Sequence, residues 1–183
     1  MGHFPVISIS LKGINAEDFA GAYRLLVRMI NAEARRLWQL LKKNVKAVLF
    51  GITSGVLTSL CTVLVLSKLM GLSHEEYVTL LPKSITTAIG MGVSEELGGY
   101  VTITVAAIVV TGVIGNILGE LVFKIFKITE PISRGLALGS SAHAIGTAKA
   151  IELGEVEGAM SSLAIAVTGI MTVVLASVFA NFM

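Results

Sequence analysis

Lys83, Ser84, Thr86 and Thr87 follow Pro82 closely, placing one ammonium and three hydroxyls at a chain break inside an otherwise apolar sequence. Proline stops a helix, and the next helix then starts with free backbone N–H groups and a positive dipole end. Such a cluster suits an anion. The lysine supplies charge, the hydroxyls supply directional hydrogen bonds, and a small carboxylate is the simplest ligand to match them. In the competing reading Lys83 snorkels to a membrane interface and the hydroxyls bond back to helical carbonyls.

The pattern occurs twice. Residues 84–98 read SITTAIGMGVSEELG and residues 140–154 read SSAHAIGTAKAIELG, 56 positions later, with seven of fifteen positions identical. The second copy supplies Ser140, Ser141, His143, Gly146 and Thr147 as further substrate-binding or pathway candidates, and His143 aligns with Thr87. An ionisable group at membrane depth is costly when charged, which makes His143 a candidate proton carrier in co-transport. A neutral histidine bonded between helices is the alternative. Glu96 and Glu152 also stand at equivalent positions. They are a candidate proton-linked pair, set against the ordinary reading of acids at helix ends as solvated boundary markers. Two related halves with hydroxyls and glycines point to a pathway between repeats.

The elements that must position these residues are membrane helices. Hydrophobic residues form 54% of the chain, charged residues 14%, and mean hydropathy is +0.84. Runs 47–67, 97–119 and 158–183 carry no charge over at least 21 residues each, enough for a helix of about 30 Å, the thickness of a bilayer core. Gly51/Gly55 and Gly115/Gly119 have the small-xxx-small spacing that lets helices pack closely. Ser73 with Glu76 forms a capping box, so a helix is expected over 74–81, stopped by Pro82. The uncharged stretches 84–94 and 135–148 are too short to cross as full helices. Each is either half of a broken span or a re-entrant segment, with Gly139, Ser140, Ser141 and Gly146 interrupting the second. Re-entry of both keeps residues 1–46 and the Lys124, Lys127, Arg134 loop on the cytoplasmic side and inverts one copy relative to the other; crossing by both makes the copies parallel.

Residues 1–46 carry eight Lys/Arg against three acids, and the remainder six against nine. Residues 1–15 read as an irregular leader without a signal-peptide core. From Ala16 to residue 46, apolar residues at three- and four-residue intervals alternate with Arg and Lys. This predicts a basic amphipathic helix, lying at the interface with Trp38 near the headgroups or packed on another subunit. Cys61 is the single cysteine, which excludes an internal disulfide and a multi-cysteine metal site. No Walker A, HExxH or GxSxG motif is present. A Ser141/His143 hydrolase is disfavoured because residues two apart on a helix face different directions. No enzyme activity, cofactor, metal or nucleic-acid partner is expected.

At residues 81–94 (LPKSITTAIGMGVS) and 132–158 (ISRGLALGSSAHAIGTAKAIELGEVEG), the sequence resembles the LrgB/CidB family of bacterial membrane proteins, and the resemblance runs from about Leu40 to the carboxyl terminus. It implies a multi-pass inner-membrane protein acting with a holin-like LrgA/CidA-type partner. It also implies either passage of a small monocarboxylate of the pyruvate or glycolate type, or antiholin-like control of murein hydrolase activity and autolysis without transport. The resemblance assigns a pathway role to Lys83, Ser84, Thr86, Thr87, Ser140, His143, Gly146 and Thr147. Ala88 stands where the family usually has proline, and residues 1–39 stand where it usually has apolar spans. The expected fold is an all-α integral membrane protein with three full spans (residues 47–183 forming the membrane domain), two broken or re-entrant segments, an amino-terminal amphipathic helix, and assembly as a homo- or hetero-oligomer.

Overall fold

The computed structural model describes residues 19–183, all helix and connecting turns. The expected leader and the first residues of the amphipathic helix lie outside the described residues. The chain divides into two compact units, residues 1–47 and 48–183. Helix α1 (Phe19–Met70) passes through the division and leaves helical geometry at Asn44 (φ −118°, ψ 17°). In the first unit Arg28, Arg35, Lys42 and Trp38 are exposed, and the Lys42 ammonium lies 5.2 Å from the centre of the Trp38 ring.

The second unit contains the remainder of α1, then α2 (His74–Leu80), α3 (Thr87–Glu96), α4 (Val101–Ile125), α5 (Pro131–Leu153) and α6 (Glu155–Phe179), closed by a 3₁₀ turn (Ala180–Phe182). Three helical stretches are long and apolar enough to cross a membrane: Leu41–Met70, Val101–Ile125 and Glu155–Phe182. The first begins earlier than its uncharged run because the stretch takes in Lys42, Lys43 and Lys46 on either side of the kink at Asn44. The second begins later because Gly98, at φ +79°, and Gly99 form a turn that ends at Tyr100, the N-cap of α4. Outward positions such as Ile103, Val110, Ile117 and Ile125 are exposed apolar side chains, the surface hydrocarbon requires.

Glycines let the helices approach closely and also report their directions. An added Cβ at Gly51 would press on Leu136 and one at Gly55 on Ser140, so α1 and the first half of α5 run in the same direction. Gly115 faces Ala142 and Gly119 faces Leu138, so α4 runs opposite to that half. Gly135 lies on the Glu157 backbone and Gly139 on the Ser161 carbonyl, so α6 runs with it. The three long helices therefore alternate in direction.

The chain reverses twice between them. Ser73 and Glu76 form the expected capping box at the start of α2, which ends one residue earlier than predicted, at Leu80. A turn over residues 81–86 returns the chain into α3, and Thr79 and Ser94 come together at Thr104 of α4, whose hydroxyl donates to the Thr79 carbonyl at 2.9 Å and lies 2.7 Å from Ser94 Oγ. Tyr77, fully buried, ties α2 to the end of α6 by donating to the Phe179 carbonyl at 2.9 Å.

The second reversal lies within α5. His143 has φ +44° and ψ −137°, and the helix breaks there. Leu138 shares one apolar cluster with Ala150, and a Cβ at Gly146 would meet the Leu138 carbonyl at 2.6 Å. Eight residues of straight helix would separate 138 from 146 by about 12 Å. The two halves of α5 thus pack antiparallel as a helical hairpin. The break falls at His143 and not at Gly139, Ser140, Ser141 or Gly146, because contacts from α4 fix the backbone there.

Close packing of α5 on α6 is directly testable. Gly139→Ala places a methyl on the Ser161 carbonyl and should destabilise the protein by about 1–3 kcal/mol. Gly92→Ala, with nothing within 4 Å, should leave the thermal midpoint in detergent unchanged or raised.

Candidate functional site

Four elements surround a cavity of about 730 Å³. Helix α1 contributes Gly51, Ser54, Gly55, Thr58, Ser59 and Thr62, a stripe at three- and four-residue intervals on one face. The turn after α2 contributes Lys83 and Ser84; α4 contributes Thr111, Ile114 and Gly115; α5 contributes Ser133, Leu136, Ala137, Ser140 and Ser141. Nine lining residues are hydroxyl-bearing, and Lys83 is the single charged one among the described residues.

Pro82 and the turn it sets present Lys83 inward. The Lys83 ammonium donates to Ser84 Oγ at 3.0 Å and to Ser59 Oγ at 3.2 Å, and the two serine oxygens are 3.1 Å apart. Among the described residues no carboxylate pairs with it. An ammonium has three hydrogens, two of them used here. One serine donates to the other, which leaves the second hydroxyl hydrogen free. The cluster can therefore offer one N–H and one O–H outward, a match for the two oxygens of a carboxylate.

The other wall is chemically different. Ser140 donates to the Leu136 carbonyl at 2.7 Å and Ser141 to the Ala137 carbonyl at 2.6 Å. Their hydrogens are committed, so they offer lone pairs to a ligand hydroxyl or to water. Helix α1 sets the spacing between the walls. Ser140 lies against Gly55 and Ser84 against Ser59, positions one helical turn apart, or about 6 Å along the axis. The equivalent serines of the two polar stretches, Ser84 and Ser140, thus line one cavity.

The remaining predicted residues lie elsewhere. Thr86 is the N-cap of α3 and Thr87 its first residue; neither lines the cavity. The buried His143 ring is outside it as well, with Nε2 2.8 Å from the Ile108 carbonyl. A carbonyl accepts, so Nε2 carries the hydrogen. Gly112 gives the ring room, since a Cβ there would lie 2.6 Å from Cε1. Thr147, also buried, donates to the His143 carbonyl at 3.0 Å and lies 2.7 Å from Ser161 Oγ. Gly146 lies at the contact between the two halves of α5. Glu96 and Glu152 are both exposed. Glu152 pairs with Lys149, which also holds Glu120 at 2.6 Å.

Sequence reasoning missed two features. The α1 stripe carried a signal, since its small and hydroxyl residues recur with helical period, but hydropathy alone hides it. Asn116 of α4, which donates to the Ile145 carbonyl at 2.9 Å, satisfies backbone just past the break and stood out only as a lone amide in an uncharged run.

Residues 35–182 match the family model of the LrgB-like family. The chain belongs to the LrgB-like family. It is 42% identical over 142 residues to the antiholin-like protein LrgB of Bacillus cereus (strain B4264) and of Bacillus anthracis (strain A0248). The match covers 78% of this chain and 62% of each of those proteins, so the chain spans under two thirds of the length of the curated relatives it matches. No solved structure matches it. The family region begins within α1 and takes in all of α2 to α6, so the whole cavity lies inside the LrgB-like part.

The break at His143 yields a prediction. His143→Gly and His143→Ala both remove the bond to the Ile108 carbonyl, but glycine accepts φ +44°, ψ −137° without strain. The alanine variant should be less stable than the glycine variant by about 1–2 kcal/mol. Paired thermal melts in one detergent check the order.

Proposed function

We propose that this LrgB-like chain passes a small monocarboxylate of the pyruvate or glycolate type through the Lys83 cavity, without chemical conversion. It acts as a multi-pass protein of the bacterial inner membrane together with an LrgA/CidA-type holin-like partner. The observation that carries the reading is a cavity with nine hydroxyl-bearing residues and one ammonium, held by hydroxyls rather than by a carboxylate. One charge favours a monoanion. The two walls meet α1 at points about 6 Å apart along its axis, which brings donors and acceptors within reach of a ligand of few atoms, and the rest of the volume has room for water.

Both chain reversals re-enter the membrane in this proposal, one from each side, which inverts the second polar stretch relative to the first. Two observations support it: the alternating directions of the three long helices, and the length of each half of α5, about 15–18 Å against a core of about 30 Å. His143 then fixes the second tip by its bond to Ile108, and Glu96 and Glu152 remain at exposed helix ends.

A second reading draws on the names of the relatives, which are antiholin-like proteins: a non-transporting modulator that sets murein hydrolase activity and autolysis through its partner. One experiment separates the two. Pyruvate and glycolate uptake is measured in proteoliposomes carrying the chain with a holin-like partner. Saturable uptake should fall at least about tenfold in Lys83→Ala, the scale of a lost charge-assisted hydrogen bond, and less in Ser140→Ala. Correctly inserted protein with no saturable uptake, and lysis control that survives Lys83→Ala, would favour the modulator.

A further inference from the structure

Residues 19–46 hold seven Lys/Arg and one acid, Glu33. Arg28, Arg35 and Lys42 are exposed and stand seven residues apart. Seven residues of α-helix return to within about 20° of the starting direction, so the three lie along one ridge about 21 Å long. Lys43 and Lys46 are exposed beside its end. Tyr23, Val27 and Trp38 are exposed apolar or aromatic side chains on the same helix, and Lys42 caps the Trp38 ring at 5.2 Å.

We propose that this ridge binds the phosphate headgroups of anionic phospholipids. Two observations favour a lipid over an acidic protein. The helix continues into the membrane-crossing stretch that starts at Leu41, which covalently fixes Lys42, Lys43 and Lys46 at the bilayer boundary, where anionic headgroups are the concentrated negative charge. Tryptophan prefers that depth, with its ring in the interface, and Trp38 stands one turn before Lys42. A ridge parallel to the helix axis presents every cation to phosphates when the helix lies in the membrane plane. The departure from helical geometry at Asn44 separates this helix from the rest of the span. The inference is independent of what passes through the cavity.

Trp38 is the single tryptophan, so the emission of the full chain reports on this helix alone. The protein is reconstituted in phosphatidylcholine vesicles carrying a minor fraction of either brominated phosphatidylglycerol or brominated phosphatidylcholine. The brominated anionic lipid should associate roughly threefold or more strongly with the Trp38 region, judged by quenching. The preference should fall with salt and fall towards one in the variant Arg28→Gln/Arg35→Gln/Lys42→Gln, which removes the three cations of the ridge. Equal quenching by the two lipids in the native protein, or a preference that survives in the triple variant, overturns the proposal. Quenching by neither would also overturn it, because a second copy or an acidic partner would then cover the helix.

Discussion

A backbone that reverses among packed apolar helices must find every hydrogen-bond partner inside the protein, because no water is there to supply one. The rest of the structure depends on how α5 meets that demand at His143. The ring reaches α4 and donates to the Ile108 carbonyl; Asn116 donates to the Ile145 carbonyl from the same helix; the Thr147 hydroxyl takes the His143 carbonyl. Three polar side chains thereby hold a conformation that a non-glycine residue seldom adopts. Glycine at 112 is what allows α4 close enough to supply the first of these contacts. The first reversal meets the same demand with backbone bonds in its turn, Lys83 N–H to the Leu80 carbonyl and Ile85 N–H to the Pro82 carbonyl, and with the buried hydroxyl cluster of Thr79, Ser94 and Thr104.

The site inherits its chemistry from those reversals. A half-buried lysine costs desolvation energy that a carboxylate partner ordinarily offsets, and Lys149 shows that solution at the surface, with Glu120 and Glu152 both bound. Lys83 has serine hydroxyls instead. Neutral acceptors satisfy the geometry of the ammonium but leave its charge uncompensated, and this distinguishes the Lys83 cluster from an internal ion pair. The same argument explains why the walls differ. Ser84 lies in a turn, where its hydroxyl is free to join the lysine, whereas Ser140 and Ser141 lie in a helix, where preceding carbonyls take their hydrogens.

What the sequence made legible follows the range of the forces involved. The Ser73/Glu76 capping box is an interaction over three residues, and it formed where the spacing placed it. Gly51/Gly55 and Gly115/Gly119 were readable as packing positions because small-xxx-small spacing is itself the packing code. Lys83, Ser84, Ser140 and Ser141 were readable as residue types and do share one cavity. The location of the second break was not readable: Gly146 and Gly139 are the local helix breakers, yet a tertiary bond from His143 to Ile108 decides it. Thr58, Ser59 and Thr62 were passed over because a hydroxyl in an apolar run barely changes its hydropathy. Only their common face, seen once α1 meets α5, gives them a purpose.

The helix that links these parts is α1. Its small-residue face accepts Leu136 and Ser140 at Gly51 and Gly55, and one turn later Ser59 accepts Lys83 and bonds Ser84. Both reversals are set against the same helix, at contact points about 6 Å apart along its axis. A larger residue at Gly55 would push α5 away and widen the gap between the donor and acceptor walls, while Lys83 would stay where Ser59 holds it. The width of the cavity is therefore set on α1, which also supplies four of its nine hydroxyl-bearing lining residues, while the charge comes from the turn at Lys83.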